Sequence, residues 1–277
     1  MPEFEPLYTS DEMRAAEKGH DTSVLMERAG AAAALIALQV FAGAERWTVV
    51  CGGGANGGDG RIVARQLEEA GKQVQIVDAK AGETELGDPH VIVDALFGTG
   101  FSGEPRADAT ALIERINSSN ARVLAIDLPS GVDASTGEIR GAAIRADETV
   151  TFHGRKIGLV VAPGRFHAGT VHVADIGLDP RETATRLATA ELLRSVPRRS
   201  EGDNKYTAGH VLVVGGSRGF TGAPCLSALA AMRADAGYVT VAAPESTLPV
   251  FEQRLLEAVK RPLPDEAGLV AEGSVDL

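Results

Sequence analysis

Short apolar runs alternate with amphipathic stretches along the first two thirds of the chain. Six runs rich in Val and Ile predict buried strands, at 47–51, 73–78, 90–96, 122–127, 148–154 and 169–177. Amphipathic patterns at 61–71 and 111–119 predict helices between them. Continuous apolar strands separated by helices are typical of a parallel sheet covered on both faces. We therefore predict a three-layer α/β domain with a mostly parallel sheet.

Two helices are predicted before the first of these strands. Thr9 and Glu12 have the spacing of a capping box, so a short helix should follow them. Thr22 and Ser23 are expected to cap a longer apolar helix that ends at Gly43. We see no apolar run that approaches the ~20 residues needed to cross a membrane, and we expect no membrane partner.

The alternation restarts after a stretch rich in Arg, Thr, Glu and Ser at 179–206, which predicts a short helix and a linker. A strand at 210–216, a helix at 223–237 and a strand at 238–244 then predict one βαβ unit of a second α/β domain. So small a parallel sheet should pack on the first domain or be loosely ordered. The predicted division is a first domain at 1–190, a linker at 191–206 and a second domain at 207–277.

Charge and cysteine content exclude several classes of protein. The net charge of -11 argues against a nucleic-acid partner, because binding phosphates requires clustered Lys and Arg. Cys51 and Cys225 are far apart and belong to no Cys/His cluster, which argues against structural zinc. A reducing compartment is the simplest setting, and the first ten residues lack a signal-peptide pattern. We predict a cytoplasmic protein and leave open whether it is a homo-oligomer.

A glycine-rich run follows the first strand of the sheet. Gly52, Gly54 and Gly57 satisfy G-x-G-x-x-G, and Asp78 ends the next strand. This fingerprint is typical of NAD-dependent dehydrogenases, in which the acid binds a ribose. The alternative is a glycine turn that serves only helix–sheet packing.

Oxygen-bearing side chains stand near the ends of three of the predicted strands. Asn56 and Asp59 lie in the glycine-rich run, Asp94 ends an apolar strand, and Asp127 and Ser130 follow another. The carboxyl ends of parallel strands share one edge of a sheet, where open α/β sheets bind ligands. Asn, Asp and Ser oxygens are also the ligands that a hard cation prefers.

Three of these segments, in this order, resemble the NAD(P)H-hydrate epimerase family: GANGGDG, DALFGTGFSG and AIDLPSGVDASTG. The runs TFHGRKIGL and APGRFHAGTVHVADIGL agree with the same family, and the resemblance spans roughly residues 8–180. It implies a Rossmann-like fold, a potassium ion, and interconversion of the R and S forms of hydrated NADH and NADPH. Ala55 departs from the family, which usually has Asn there.

The resemblance also implies roles for individual residues. Asn56, Asp94 and Ser130 would ligate the potassium ion. The substrate site would be lined by Ala55, Asn56, Gly57, Gly58, Asp59, Gly98, Thr99, Gly100, Phe101, Ser102, Gly103, Glu104 and Asp127. The reacting carbon bears a hydroxyl and a ring nitrogen, so epimerisation needs an acid or base, and Asp127 is our candidate. Lys156 lies in a family-like run but is as readily a solvated surface lysine.

Residues 205–246 resemble the start of an ADP- or ATP-dependent hydrate dehydratase, whose domain is ribokinase-like and often fused behind the epimerase. Ala223 would contact substrate there. The nucleotide site and catalytic Asp of that family lie beyond Leu277, so the dehydratase part is incomplete and we expect activity only in a full-length form. Two alternatives remain open: an NAD-dependent dehydrogenase and a non-catalytic nucleotide-binding protein.

Overall fold

The computed structural model describes residues 4–196, 198–266 and 269–270. The chain divides into two compact units, Met1–Ala190 and Glu191–Leu277. The assignment of 191–206 as a linker stays a prediction.

The first unit holds the large sheet and the helices around it. Its elements in chain order are β1 (Phe4–Tyr8), α1 (Ser10–Glu17), α2 (Thr22–Val40), β2 (Arg46–Cys51), α3 (Ala55–Glu69), β3 (Gln73–Asp78), β4 (Val91–Ala95), α4 (Ala107–Asn117), β5 (Arg122–Ile126), β6 (Glu148–Phe152), β7 (Arg155–Lys156), β8 (Thr170–Ala174) and β9 (Thr185–Ala188). The six predicted strands are β2, β3, β4, β5, β6 and β8.

Six parallel strands form the central sheet in the order β3-β2-β4-β5-β6-β8. The order reverses at β2, because β3 lies on one side of it and β4 on the other. A crevice opens at such a reversal, outside the carboxyl ends of the strands, and this is where open α/β sheets bind ligands. The predicted Rossmann-like, mostly parallel α/β fold is confirmed.

The two faces of the sheet pack against different helices, as the apolar strands require. Val49 and Val93 lie in a core with α1, α2 and α3. Val50 and Ile92, the neighbouring residues on the same strands, lie in a second core with α4. Successive side chains of a strand point to opposite faces, so the inner strands β2, β4, β5 and β6 are buried on both faces and mostly apolar, whereas the edge strands β3 and β8 are partly exposed.

The N-terminal helices agree with the expectation in part. The capping box of Thr9 and Glu12 is present at α1. The cap of α2, however, is Asp21, whose side chain accepts hydrogen bonds from the N–H groups of Ser23 and Val24. The expectation of Thr22-Ser23 was wrong because the Asp carboxylate, one residue earlier, satisfies these free N–H groups.

The helix α2 does approach membrane-spanning length, contrary to the prediction from the sequence. The helix Thr22–Val40 is long and apolar enough to cross a membrane, by length and composition alone. Within its apolar 18-residue stretch, 33% is buried. Its Ala33 and Ala37 are fully buried in the core with α3 and the sheet. Small residues at this spacing let a helix pack closely against its neighbours, which explains the composition of α2 as that of a core helix.

The structure differs from the prediction in two regions. The helix expected at 61–71 begins at Ala55, inside the glycine-rich run, because close packing of its first turns overrides the low helix propensity of glycine. The short helix expected within 179–206 is present as a 3-10 helix at Ala190–Ser195, and a strand that was not predicted, β9, precedes it. β9 pairs antiparallel with β1, which pairs in parallel with β7, and this small sheet was not predicted.

The second unit contains more regular structure than the single predicted βαβ unit. Its elements are β10 (His210–Val214), α5 (Gly222–Arg233), β11 (Tyr238–Pro244), α6 (Leu248–Arg254), β12 (Val259–Leu263), β13 (Asp265–Glu266) and β14 (Leu269–Val270). Strands β10, β11 and β12 form a parallel sheet, so there are two consecutive βαβ units. Val241 and Ala228 lie in a core with Phe251, while Val214 on β10 is 46% exposed.

Gly52 should tolerate no side chain. A Cβ atom built there would lie 2.0 Å from the Leu96 carbonyl oxygen, whereas one built on Gly43 meets nothing within 4 Å. We expect Gly52→Ala to lower the free energy of unfolding by about 1–3 kcal/mol, the usual cost of overpacking. Urea denaturation measures this, with Gly43→Ala as the control. Equal stability of the two variants would contradict the close approach of these loops.

Candidate active site at the carboxyl edge of the sheet

A cavity of about 470 Å³ opens in the first unit beyond the carboxyl ends of β2, β4 and β5. Its walls come from α1, α2, the start of α3 and the loop after β4. The polar lining residues include Glu17, Asn56, Asp59, Thr99, Asp127 and Lys156. The cavity therefore lies at the reversal of strand order, and polar groups converge on it.

Asp127 occupies a strained position immediately after β5. Its φ of 69° lies in the left-handed region, which few residues other than glycine adopt. The backbone is held there by a 2.7 Å hydrogen bond from the Asp127 N–H to the Val150 carbonyl. The Thr99 N–H donates to Asp127 Oδ2 at 2.9 Å, which fixes the carboxylate. Strain of this kind persists where surrounding contacts enforce it, and it is common at active sites.

Lys156 is the charged partner of Asp127. Its ammonium lies 2.7 Å from Asp127 Oδ1, and the lysine side chain is only 1% exposed. The other two ammonium protons are donated to Thr151 Oγ1 at 2.8 Å and to the Phe152 carbonyl at 2.9 Å. All three donors are therefore used within the protein. Lys156 thus acts as a fixed positive charge that orients Asp127.

Asp94 lies near the end of β4, the strand beside β5, and is fully buried. Its carboxylate accepts hydrogen bonds from the Ser130 hydroxyl at 2.6 Å and the Ser130 N–H at 2.8 Å. Burial nevertheless raises the pKa of Asp94 to about 6, although these hydrogen bonds act in the opposite direction. Hydrogen bonds alone do not compensate the desolvation of this carboxylate, so a cation beside it would be stabilising.

The Asn56 side chain supplies a second observation in favour of a cation. Both polar atoms of its amide are buried and have no hydrogen-bond partner among the described residues. A Cβ atom built on Gly98 would lie 3.3 Å from Asn56 Cβ and 3.1 Å from Asp127 Oδ2, so the loop after β4 joins the two sites. Buried amides are almost always satisfied, and an unsatisfied one calls for a bound ion, water or ligand. The oxygen donors of Asn56, Asp94 and Ser130 fit a hard cation.

No cluster of metal ligands of another kind is present in the described part of the chain. It contains no group of three or more His, Cys, Asp or Glu side chains placed to hold a metal ion. The Cys51 thiol is buried, and this burial raises its pKa to about 11, so it is not a thiolate ligand.

Comparisons with known proteins match both units. Residues 22–85 and 77–158 match the family described as YjeF-related protein N-terminus, and residues 211–276 match the NAD(P)H-hydrate dehydratase family. The chain belongs to the YjeF-related family and continues into a dehydratase-family segment.

Curated relatives carry both parts. The bifunctional NAD(P)H-hydrate repair enzymes of Moorella thermoacetica and Pyrobaculum aerophilum are 36% and 38% identical, over 96% and 86% of this chain. The enzyme of Leishmania braziliensis is 34% identical over 88% of the chain. The matched regions are 58%, 54% and 51% of those proteins, so the chain spans little more than half their length.

The fold of the first unit also has a counterpart among solved structures. The crystal structure of the yeast protein ynu0 matches with a TM-score of 0.52 at 18% sequence identity. The match covers 66% of this chain and 100% of the yeast chain. At this identity the likeness establishes a shared fold.

The YjeF-related domain brings many of the sequence-predicted substrate residues to the cavity wall and leaves others away from it. Those that line the cavity are Ala55, Asn56, Asp59, Gly98, Thr99, Gly100, Phe101 and Asp127. Those outside the lining are Gly57, Gly58, Ser102, Gly103 and Glu104. Ala223 belongs to the second unit, at the start of α5.

Gly57 and Gly58 have packing reasons to be glycine. A Cβ atom on Gly57 would lie 1.9 Å from the Gly52 carbonyl oxygen, and one on Gly58 would lie 2.5 Å from Met26 Sδ. These glycines let the first turns of α3 approach the preceding loop and α2. The alternative of a packing turn therefore describes these two residues, while the same run also delivers Asn56 and Asp59 to the cavity.

Asp78 does not face the cavity as a ribose-binding acid would. Its carboxylate accepts hydrogen bonds from the N–H groups of Lys80 and Ala81 and forms a 2.6 Å ion pair with Arg61. The motif Gly52, Gly54, Gly57 and Asp78 thus shapes the turn and caps a 3-10 helix. This arrangement disfavours the dehydrogenase alternative.

The sequence did not identify the contribution of the N-terminal helices. Met13 and Glu17 on α1, with Leu25 and Met26 on α2, cover one side of the cavity. Phe97 and Phe101 add a stacked aromatic pair, with ring centroids 4.7 Å apart. The sequence did predict two helices before the first strand of the central sheet. No motif in them, however, indicated that they would line the site.

Loss of the Lys156 ammonium should leave a buried, uncompensated carboxylate. We expect Lys156→Met to lower the free energy of unfolding by about 3–5 kcal/mol, as for other broken buried pairs. The double variant Lys156→Met/Asp127→Asn should recover much of that stability, because the orphaned charge is gone. Lys72→Met, which breaks an exposed pair with Glu45, is the control and should lose far less. A double variant no more stable than Lys156→Met would contradict the charge pair.

Proposed function

We propose that the YjeF-related domain interconverts the R and S epimers of hydrated NADH and NADPH. The observation that carries the proposal is the oriented Asp127 carboxylate, paired with Lys156 at the wall of a nucleotide-sized cavity. The printed names of the curated relatives support it, since they are NAD(P)H-hydrate repair enzymes. The sequence resemblance to the epimerase family supports it independently of the cavity.

The reaction needs a proton to be transferred to or from the hydroxyl oxygen on the reacting carbon. Asp127, oriented by the Lys156 ammonium and by the Thr99 N–H, is our candidate for the group that exchanges this proton. Lys156 donates three hydrogen bonds within the protein and supplies orientation and charge. Leu25, Met26 and the stacked aromatic pair give the cavity apolar walls that exclude water from the bound ring.

A potassium ion is part of the proposal. Asn56, Asp94 and Ser130 would hold it. The Asn56 amide oxygen has no hydrogen-bond partner among the described residues, and the Asp94 carboxyl, which accepts from Ser130, is fully buried. The ion would supply a positive charge that attracts the oxygen atoms of the nucleotide.

The second unit enters the proposal as a dehydratase-family segment. For a polypeptide limited to residues 1–277, we propose no dehydration of the S epimer with ADP or ATP, since the family's nucleotide site and catalytic Asp would lie beyond Leu277. A cytoplasmic location and the oligomeric state stay predictions.

Turnover of separated epimers tests the function and the role of Asp127 together. We expect the wild type to speed conversion of pure S epimer to R, and Asp127→Asn to slow that catalysed rate by about 10²–10⁴-fold. Asp108→Asn, at the exposed start of α4, is the matched control and should keep the full rate. Adding ADP or ATP should give no recovery of NADPH absorbance. A wild-type rate equal to the spontaneous rate would refute the function and favour a non-catalytic binding protein.

Potassium should bind and stabilise the domain. At a K⁺ concentration about a hundredfold above its dissociation constant, binding adds about 2.7 kcal/mol to the free energy of unfolding. We expect thermal denaturation to shift upward with K⁺ but not with choline of equal ionic strength. Asp94→Asn should remove the difference between the two salts. If wild type shows the same melting temperature and epimerisation rate in both salts, the cation site is wrong.

A further inference from the structure

Two carboxyl groups that line the cavity, those of Glu17 and Asp59, are not used by the mechanism above. Asp59 lies three residues after Asn56 on α3, so both side chains occupy the same face of the helix, and both line the cavity. Among the described residues, no hydrogen bond or ion pair reaches the Asp59 carboxyl. Asp127 reaches the cavity from the end of β5, so Asp59 and Asp127 enter it from two different elements.

The surroundings of Asp59 favour its protonated form. Burial raises the pKa of Asp59 to about 8, the negative charges of Asp127 and Glu17 contribute in the same direction, and Lys156 opposes them. The packed helix α2 contributes Leu25 and Met26 to the cavity wall, and its Arg28 donates a hydrogen bond to the Ile176 carbonyl. Asp127, by contrast, has its own ammonium partner. Environments that separate two carboxyl groups in this way are typical of an acid and base pair.

Two routes can invert the hydrated carbon. In ring opening, a base removes the hydroxyl proton, the oxygen forms a carbonyl, and the bond from carbon to ring nitrogen breaks. In water loss, an acid protonates the hydroxyl, the nitrogen lone pair forms a carbon–nitrogen double bond, and water departs, which leaves a cation. The first route builds negative charge on oxygen and the second builds positive charge on the ring.

The charges around the cavity favour the cationic route. Glu17, Asp59 and Asp127 line it with carboxyl groups, and the ammonium of Lys156 is already bound to Asp127. When Asp59 gives up its proton, its own carboxylate becomes a negative charge beside the ring. Such surroundings stabilise a cation and disfavour an alkoxide.

On the basis of the proposed function, we infer that Asp59 is the catalytic acid and that the epimers interconvert by loss and re-addition of water. Asp59 gives its proton to the hydroxyl, and the carbon–oxygen bond breaks as the nitrogen lone pair forms the double bond. A water molecule then attacks the opposite face of the carbon and gives a proton to Asp127, and the nitrogen regains its lone pair. Proton exchange between the two carboxyl groups through water restores the starting state, with no net redox change.

An isotope experiment on the wild type distinguishes the routes. Pure S epimer is incubated with the protein in H₂¹⁸O and quenched at low conversion, and the mass of the newly formed R epimer is measured after subtraction of the spontaneous reaction. Water loss places solvent oxygen on nearly every new R molecule. An R epimer that keeps its original oxygen would overturn the inference while leaving the epimerase function intact. Capture of an oxime by added hydroxylamine, in proportion to turnover, would also overturn it, because that reveals an aldehyde.

The pH profile assigns the acid. As the pH rises through about 8, the wild-type rate should fall, because Asp59 loses the proton that it must donate. Asp59→Asn should lower kcat by about 10²-fold or more and flatten this limb of the profile. Asp59→Glu should recover part of the rate, and Asp108→Asn should match the wild type. A near-normal rate in Asp59→Asn, or an unchanged alkaline limb, would remove Asp59 from the role even if ¹⁸O is incorporated.

Discussion

The buried ion pair between Asp127 and Lys156 is the interaction on which the site depends. A carboxylate after β5 is stable in this environment because the ammonium from β7 lies 2.7 Å away. The same carboxylate binds the Thr99 N–H and so fixes the loop after β4. One charge pair thus connects a strand end, a second strand and a cavity loop.

The topology decides where this pair can act. Because the strand order reverses at β2, the loops after β2 and β4 diverge and leave room beyond their carboxyl ends. Close backbone contacts keep that edge compact, as the 2.0 Å separation between a Cβ on Gly52 and the Leu96 oxygen shows. The result places Asn56, Asp94 and Asp127 around one edge, where a cation and a nucleotide can be neighbours.

The sequence predicted the central sheet well because its inner strands β2, β4, β5 and β6 are buried on both faces and are therefore mostly apolar. It failed where tertiary contacts override local preference. α3 begins at Ala55 within a glycine-rich run, since the first turn packs against the loop before it. β9 was missed because three of its four residues are exposed and only Leu187 is partly buried, which gives a weak apolar signal.

Among the site residues, motif spacing placed Asp94, Ser130 and Asp127 near one edge, and the structure brings them there. The partnership of Lys156 with Asp127 was not predictable, because it joins the end of β5 to β7, 29 positions later in the sequence. Glu17 was missed for a similar reason, since α1 reaches the cavity only through packing. Asp78 matched the dinucleotide-binding motif, yet its carboxylate accepts a hydrogen bond from the Lys80 N–H and pairs with Arg61.

A crystal structure with a tetrahydro analogue of NADPH would show whether the substrate ring reaches the carboxyl groups of Asp59 and Asp127. The analogue lacks the ring hydroxyl, so it cannot epimerise and should remain bound in one form. We expect its reduced ring to lie in the cavity between Asp59 and Asp127. The reacting carbon should lie within about 4 Å of a carboxyl oxygen, so that a hydroxyl on this carbon could contact both side chains. A ring bound outside the cavity, or a ribose bound to Asp78 in the manner of a dehydrogenase, would contradict it.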